Sequence, residues 1–305
     1  MKRAASIRFR ESACSEWEAA SETAACLGRT LQGITLSPTE YLDAIPRYVR
    51  NAELPTSDSC VTAFLLDCEY TGGKGGPWLS GEGADEFFAG YNNYRLAPEL
   101  AWDDGPTHYG LYGIMAREDA RRLLGQERAC PAEALVRDLY AQTARDEHLS
   151  RLLLIDIRLW LEGDILLSVN RSARANGVAL VLPYADRRMF ELSAAIPSDL
   201  KWRDGCGKYI LRRTAERRLP HEIAFRKKIG FMNPLRQWFG EAAFRPRIEE
   251  VLFGEVSSRF FDRAILRRYW EGFLSGEVPN WASSTPYTCL SSGMNAAMKS
   301  IDQTE

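Results

Sequence analysis

The alternation of short apolar runs with longer helical patterns over the first 95 residues is the feature that most constrains the fold of this chain. Strands that alternate with helices favour a parallel, doubly wound sheet, because the connecting helices must cover the faces of the sheet. Strands are predicted at residues 5–9, 32–36 and 77–79, and helices at residues 15–27, at residues 59–70 and from Pro38 onward. The sequence therefore predicts an α/β fold for about residues 1–95.

The start of the helix at Pro38 is the clearest local signal in this part. Ser37 is a typical N-cap residue, Pro38 suits the first helical position, and Glu40 follows Ser37 by three residues. This pattern predicts a capping box, in which the two side chains bond each other's backbone N–H groups. Gly28 predicts a left-handed end to the helix over 15–27.

From about residue 96 the alternation fades and helical patterns dominate. They cover 115–165, 187–197, 208–218 and 241–254, with one buried strand or turn predicted at 178–184. Because no repeat, low-complexity tract or linker interrupts the chain, we predict a single domain over 1–305, with an α/β part and a largely helical C-terminal part.

Composition excludes several classes of protein. With 39 Lys and Arg against 41 Asp and Glu, the net charge is −2, so there is no global basic field to attract nucleic acid or anionic lipid. Seven cysteines occur without a C-x-x-C pair, and no apolar run approaches the ~18–20 residues that cross a bilayer. These features predict a cytoplasmic protein with reduced thiols and no membrane or nucleic-acid partner.

The densest chemical feature is Ser80–Glu86, which holds three carboxylates directly after a predicted strand. Ligands of open parallel sheets bind beyond the carboxyl ends of strands, and glycines there let the backbone approach an anion. Carboxylates repel phosphate unless a divalent cation bridges them, so Glu82 and Asp85 indicate magnesium. An acidic helix N-terminus that stabilises the helix dipole by about 0.3–1 kcal/mol per charge explains the residue types equally well.

Two further segments are polar enough to serve a site. Arg226-Lys227-Lys228 is followed by Gly230, and a loop lysine can stabilise charge on a transferred phosphoryl group. An isolated run of this kind is more often a solvated basic turn. The polar stretch from Asn170 leads into an apolar segment that ends at Asp186, and by itself it indicates no particular chemistry.

Together and in this order, these segments resemble the synthetase domain of the asparagine synthetase family, whose relatives include β-lactam synthetases and lasso-peptide macrolactam cyclases. The family's motif L-S-G-E-G-A-D-E-L-F-G-G-Y resembles Leu79–Tyr91. Its motifs D-R-x-S-M-A-x-G-x-E-x-R-x-P-F-L-D, K-Y-I-L-R and L-P-x-x-I-x-x-R-x-K-x-G-F resemble Asn170–Asp186, Lys208–Arg212 and Leu219–Phe231. The resemblance covers nearly the whole chain.

The resemblance implies an adenine nucleotide alpha-hydrolase-like sheet and an ATP-dependent, AMP-forming carbon–nitrogen ligase. ATP would activate a small-molecule or peptide carboxylate as an acyl-adenylate, and an amine or ammonia would then form the amide. Glu82 and Lys228 would be catalytic, with Lys228 stabilising the pentavalent phosphorus. Ser80 and Gly81 would bind the nucleotide.

The same resemblance implies roles for five more residues. Asp85 and Glu86 would handle magnesium and pyrophosphate, so that ATP and Mg²⁺ are the expected cofactors. Asn170, Arg171 and Asp186 would belong to a substrate pocket.

The chain also departs from the family pattern. No Ser-Gly-Gly-x-Asp-Ser pyrophosphate loop occurs in the 305 residues, and Ser6–Phe9 resembles the strand that follows this loop. We therefore expect the N-terminal strand, which should be central, and the loop to be missing. The family's Glu and Arg fall on Ala179 and Val181, which predicts an altered pocket, and Lys2 stands where the family's glutaminase domain has its cysteine.

Three hypotheses accommodate these departures. In the first, the chain is a ligase that needs a partner polypeptide to supply the missing loop. In the second, it is a catalytically incompetent homologue that acts as a binding or scaffold subunit. In the third, the sequence is N-terminally truncated.

Overall fold

The computed structural model describes residues 3–10, 16–53, 58–72, 76–99, 117–124, 131–143, 147–228, 230 and 233–277. Its first unit consists of β1 (Arg3–Arg8), α1 (Trp17–Cys26) and β2 (Thr30–Thr35). The two strands pair in parallel, with Ile7 opposite Ile34. Gly28 adopts the left-handed φ of +61° that was expected after α1. The predicted strand–helix–strand start is therefore confirmed.

The next two helices are α2 (Pro38–Ala52) and α3 (Cys60–Thr71). The capping box is confirmed, because the Glu40 N–H donates to Ser37 Oγ at 3.3 Å and the Ser37 N–H donates to Glu40 Oε2 at 2.9 Å. The apolar stripe of α2, which includes Tyr41 and Ile45, is completely buried. Local sequence signals thus define both the start of α2 and the face that it buries.

The sheet agrees with the prediction only in part. Strands β3 (Trp78–Leu79) and β4 (Leu180–Val181) pair in parallel, but within the described residues they form a two-stranded sheet separate from β1 and β2. A continuous sheet needs a strand that bonds to both neighbours, and no described strand joins β1 to β3. The described part of the chain thus has the predicted parallel pairing, but in two separate pairs and not in one continuous sheet; the expectation that a central strand is missing stays a prediction.

The rest of the described chain is helical, as predicted. It contains a 3₁₀ segment (Asn92–Glu99) and a π-helical segment (Ile157–Ile165) that joins α7 to α8. The helices are α4 (Ala84–Phe88), α5 (Arg117–Leu123), α6 (Pro131–Gln142), α7 (His148–Asp156), α8 (Leu166–Ala175), α9 (Arg187–Ala195), α10 (Ser198–Lys201), α11 (Tyr209–Ala215), α12 (His221–Ala224), α13 (Leu235–Gly240), α14 (Arg245–Phe253), α15 (Glu255–Ser258) and α16 (Arg263–Ser275).

The main hydrophobic core joins the N-terminal strands and helices to the last helices. Trp238 of α13 is fully buried, and its ring lies 5.6 Å from the ring of Phe9 and 5.4 Å from that of Tyr41. A second cluster surrounds α4, where Phe88 packs with Leu161 of the π-helical segment. This second cluster fixes the position of α4, which follows β3 after residues 80–83.

The described ranges contain neither a disulfide nor a membrane-spanning helix. The cysteines in these ranges form no disulfide; they are Cys26, Cys60, Cys68 and Cys206. In the same ranges, none of the helices combines the length and the apolar character needed to cross a bilayer.

Candidate active site

The turn between β3 and α4 forms the centre of the site. Ser80 continues the pairing of β3, since its N–H donates to the carbonyl of Val181 at 3.1 Å. Gly83 then takes a φ of +91°, and a Cβ there would lie 3.3 Å from the nitrogen of Ala185. Glycine is needed because a side chain at this φ would be strained and crowded. Gly81 borders open space, and Ser80 Oγ donates to Glu82 Oε1 at 3.2 Å.

Two lysines from distant parts of the chain meet on Asp85 of α4. The ammonium nitrogen of Lys228 lies 2.6 Å from Asp85 Oδ1, and that of Lys208 lies 2.9 Å from Asp85 Oδ2. All three side chains are about one quarter exposed, so solvent reaches the cluster without fully screening it. Two ammonium groups therefore face one carboxylate, and Glu82 also interacts electrostatically with both lysines.

Close backbone packing brings Lys208 to this position. Its N–H donates to the carbonyl of Phe88 at 2.9 Å, at the end of α4. A Cβ on Gly207 would lie 2.2 Å from the carbonyl oxygen of Ala89, and one on Gly90 would lie 1.9 Å from Asp85 Oδ1. Both positions therefore require glycine, because any side chain would prevent the close approach of Gly207 to Ala89 and of Gly90 to Asp85. Ala89, which replaces a family glycine, is held at a left-handed φ of +57°.

The three carboxylates of the motif have different environments. Burial raises the pKa of Asp85, but Lys208 and Lys228 outweigh this effect and hold the pKa below its ordinary value. Burial raises the pKa of Glu82, which Ser80 and the two lysines offset only in part. Burial raises the pKa of Glu86 to about 7. The motif thus combines an ionised carboxylate with two that are less readily ionised.

Glu86 is buried next to Asp85 in α4 and accepts a hydrogen bond from Tyr91. It is 1% exposed, and the hydroxyl of Tyr91 donates to its Oε1 at 2.6 Å. The ammonium group of Lys228 lies 4.3 Å from the centre of the Tyr91 ring, within the range of a cation–π contact. The ring of Tyr94 lies 5.8 Å from that of Tyr91, and the hydroxyl of Tyr94 donates to Oδ2 of the buried Asp156 at 2.7 Å.

The side chains of the three adjacent cations Arg226, Lys227 and Lys228 lie in different environments. Arg226 donates to the carbonyl of Ala19 in α1 at 2.7 Å and also pairs with Glu22. Lys227 is exposed, whereas Lys228 reaches Asp85. The run is therefore more than a uniformly solvated basic turn. Phe231, which belongs to the same family motif, lies outside the described residues.

The carboxylates as placed do not form a magnesium site. Both oxygens of Asp85 face lysines, and Glu86 is buried against Tyr91. In the described ranges, no three His, Cys, Asp or Glu side chains are arranged to hold a metal. The metal role of Asp85 and Glu86 stays a prediction.

The residues predicted for a substrate pocket have local partners. Asn170 donates to the carbonyl of Leu166 one turn earlier, at 2.8 Å, and Arg171 lies 3.9 Å from Glu53. Asp186 caps α9, where it accepts from the N–H of Arg188 at 2.9 Å. Ala185, next to Asp186, borders Gly83, but a pocket role for the three residues stays a prediction.

Sequence reasoning did not assign Lys208, Tyr91 or Arg212 to the site. Lys208 and Arg212 belong to the K-Y-I-L-R segment, and the resemblance implies no role for either residue. Tyr91 ends the strand-end motif. Motif membership was therefore the available signal, and only the three-dimensional contacts show what these side chains touch.

Comparison with known proteins identifies the family of this chain. The family model for asparagine synthase matches residues 2–291. "Asparagine synthetase [glutamine-hydrolyzing] 1" of Bacillus subtilis (strain 168) is 29% identical over 268 residues, which cover 76% of this chain and 42% of the relative. A "Putative asparagine synthetase [glutamine-hydrolyzing]" of Mycobacterium bovis is 26% identical over 265 residues, or 75% of this chain and 41% of the relative. The match thus spans about two fifths of these relatives, and the chain belongs to the asparagine synthase family.

Proposed function

We propose that this chain is the synthetase part of an ATP-dependent ligase that forms an amide through an acyl-adenylate. The observation that carries the proposal is the convergence of Lys208 and Lys228 on Asp85 at the carboxyl end of β3. In parallel sheets this end is where ligands bind, and two ammonium groups side by side there can bind a phosphorylated ligand.

The proposed reaction has two steps. In the first, a carboxylate oxygen of the substrate attacks the α-phosphorus of ATP, the bond from that phosphorus to the bridging oxygen breaks, and pyrophosphate leaves. In the second, an amine or ammonia attacks the acyl carbon, the bond from that carbon to the AMP oxygen breaks, and the nitrogen loses a proton. The product is an amide, with AMP and pyrophosphate released.

The described residues suit distinct parts of this reaction. Negative charge builds up on the phosphoryl oxygens in the first step, and Lys228 and Lys208, which meet at Asp85, are the candidates to stabilise it. Glu82, whose pKa is raised by burial, is the candidate to take the proton from nitrogen in the second step. Gly81 borders open space and Ser80 bonds Glu82, and these two residues are the candidates to contact the nucleotide.

A segment outside these 305 residues would complete the site. In support, β1–β2 and β3–β4 are separate pairs in the described part, and Leu79 of β3 is 76% exposed although strands of parallel sheets are normally buried. A parallel strand with the Ser-Gly-Gly-x-Asp-Ser loop would join the two pairs and supply backbone donors for pyrophosphate. Such a segment can belong to the same protein or to a partner polypeptide.

ATP–pyrophosphate exchange tests the proposal. The chain is assayed alone and together with a polypeptide that carries the strand and loop, with aspartate as the first carboxylate probe because the matched relatives are named asparagine synthetases. Coding DNA next to that of this chain is the first place to search for a Ser-Gly-Gly-x-Asp-Ser segment. We expect exchange from the mixture and none from the chain alone.

Two outcomes would change this conclusion. Exchange by the chain alone would show that the missing loop is not required. Binding of ATP without exchange, in the mixture and with a panel of amino acids and other carboxylates, would favour the catalytically incompetent homologue as a binding subunit.

A further inference from the structure

Arg212 of α11 connects the two segments that carry the site lysines. Its Nε donates to the carbonyl of Gly207 at 2.9 Å. Its Nη1 donates to the carbonyls of Ala224 and Arg226, at 3.1 and 2.8 Å. A single guanidinium therefore bonds three main-chain carbonyls on two separate stretches of chain.

These carbonyls lie directly beside the lysines. Gly207 precedes Lys208, and Arg226 is two residues before Lys228. Among the described residues, Arg212 forms no ion pair with a carboxylate, and the three hydrogen bonds that the structure gives its side chain all end on main-chain oxygens. The side chain is therefore suited to fixing backbone position rather than to balancing an acid.

Only arginine fits this arrangement. Its planar fork has several donors in fixed directions, so it can bond carbonyls on both sides at once, whereas the single ammonium of lysine lacks this geometry. Bonds from a charged donor are also stronger than neutral ones. The two segments that Arg212 joins meet again at Asp85, where Lys208 and Lys228 bind the same carboxylate.

We propose that Arg212 is a positioning residue that sets the places of Lys208 and Lys228 relative to each other by holding their two backbone segments together. The effect on catalysis rests on the proposed function, but the effect on backbone order does not.

Amide hydrogen exchange of the whole chain, followed by mass spectrometry, tests the backbone effect. Arg212→Lys and Arg212→Gln are compared with wild type, and Arg213→Lys is the matched control, because Arg213 is exposed and pairs only locally with Glu216 at 2.6 Å. We expect exchange in peptides over 205–210 and 221–228 to become ~10- to 100-fold faster in both Arg212 variants. Peptides of α2 and the Arg213→Lys protein should match wild type.

Exchange in both segments within about twofold of wild type would overturn the proposal. An equal acceleration in α2 would also overturn it, because Arg212 would then support the whole fold and not these two segments in particular. If one of Arg212→Lys and Arg212→Gln fails to fold, the other still tests the proposal.

Kinetics of the reconstituted ligase test the catalytic consequence. We expect Arg212→Lys to lower kcat of ATP–pyrophosphate exchange ~10-fold or more with ATP KM changed less than about threefold, and to add little when both Lys208 and Lys228 are already alanine. A full additional loss in this double-alanine background would contradict action through the two lysines. If the wild-type system shows no exchange, the proposed function fails, while the hydrogen-exchange result still decides the role of Arg212.

Discussion

Replacement of Glu86 by glutamine should change the pH dependence of stability in a calculable way. Glu86 is 1% exposed, and burial raises its pKa to about 7 against an ordinary value of 4.5. Glutamine keeps nearly the same shape, and its carbonyl can accept the Tyr91 hydroxyl that bonds Glu86 at 2.6 Å. The substitution therefore removes the ionisable group with little change in packing.

Proton linkage sets the sign and size of the change in the free energy of unfolding with pH. Below pH 4.5 the carboxyl is protonated in both the folded and the unfolded state. Between pH 4.5 and about 7 the unfolded state releases the proton while the folded state retains it, so the free energy of unfolding falls as pH rises. At 1.36 kcal/mol per pH unit, the wild-type protein loses about 3 kcal/mol across this window relative to Glu86→Gln.

Urea denaturation at intervals from pH 4 to 8.5 measures this effect. We expect the variant's stability relative to wild type to rise by about 3 kcal/mol and to level off above pH 7. The raised pKa values of Asp58 and Asp67 act in both proteins and cancel in the difference. Glu255→Gln, at a side chain that is 86% exposed, is the control and should show no comparable rise. A difference that stays flat with pH would show that Glu86 is ionised in the fold and refute the reasoning.

Three further predictions address the site and the scaffold. In the reconstituted ligase, Lys228→Ala should lower kcat by roughly 10²–10³ with little change in ATP KM, while Lys227→Ala should do much less; similar mild effects of both would remove Lys228 from its role. Gly90→Ala would place a Cβ 1.9 Å from Asp85 Oδ1 and should cost about 1–3 kcal/mol in urea unfolding, and an unchanged midpoint would contradict the close approach. Ser37→Ala should cost about 1 kcal/mol by loss of the cap, whereas a neutral effect would mean that the capping box adds nothing to stability.

Local features of this fold could be predicted because they depend on residues close in the chain. The capping box needs only Ser37 and Glu40, and the left-handed stop after α1 needs only Gly28. The parallel pairing of β1 with β2 also followed from a strand–helix–strand pattern, which leaves few alternatives. The division of the sheet could be anticipated only as a missing strand, since pairing depends on which segments are present to bond.

The run Arg226-Lys227-Lys228 separates what sequence determines from what tertiary structure decides. Sequence alone determined that three cations stand in a segment resembling a family motif, and it selected Lys228 by its place in that motif. Only the fold directed Arg226 to α1, left Lys227 in solvent and brought Lys228 to Asp85, 143 residues away along the chain. The pairing of Lys208 with the same carboxylate was decided in the same way. The physical reason is that charge pairing and burial depend on distance in space, which is set by packing of remote segments and leaves no local pattern in the sequence.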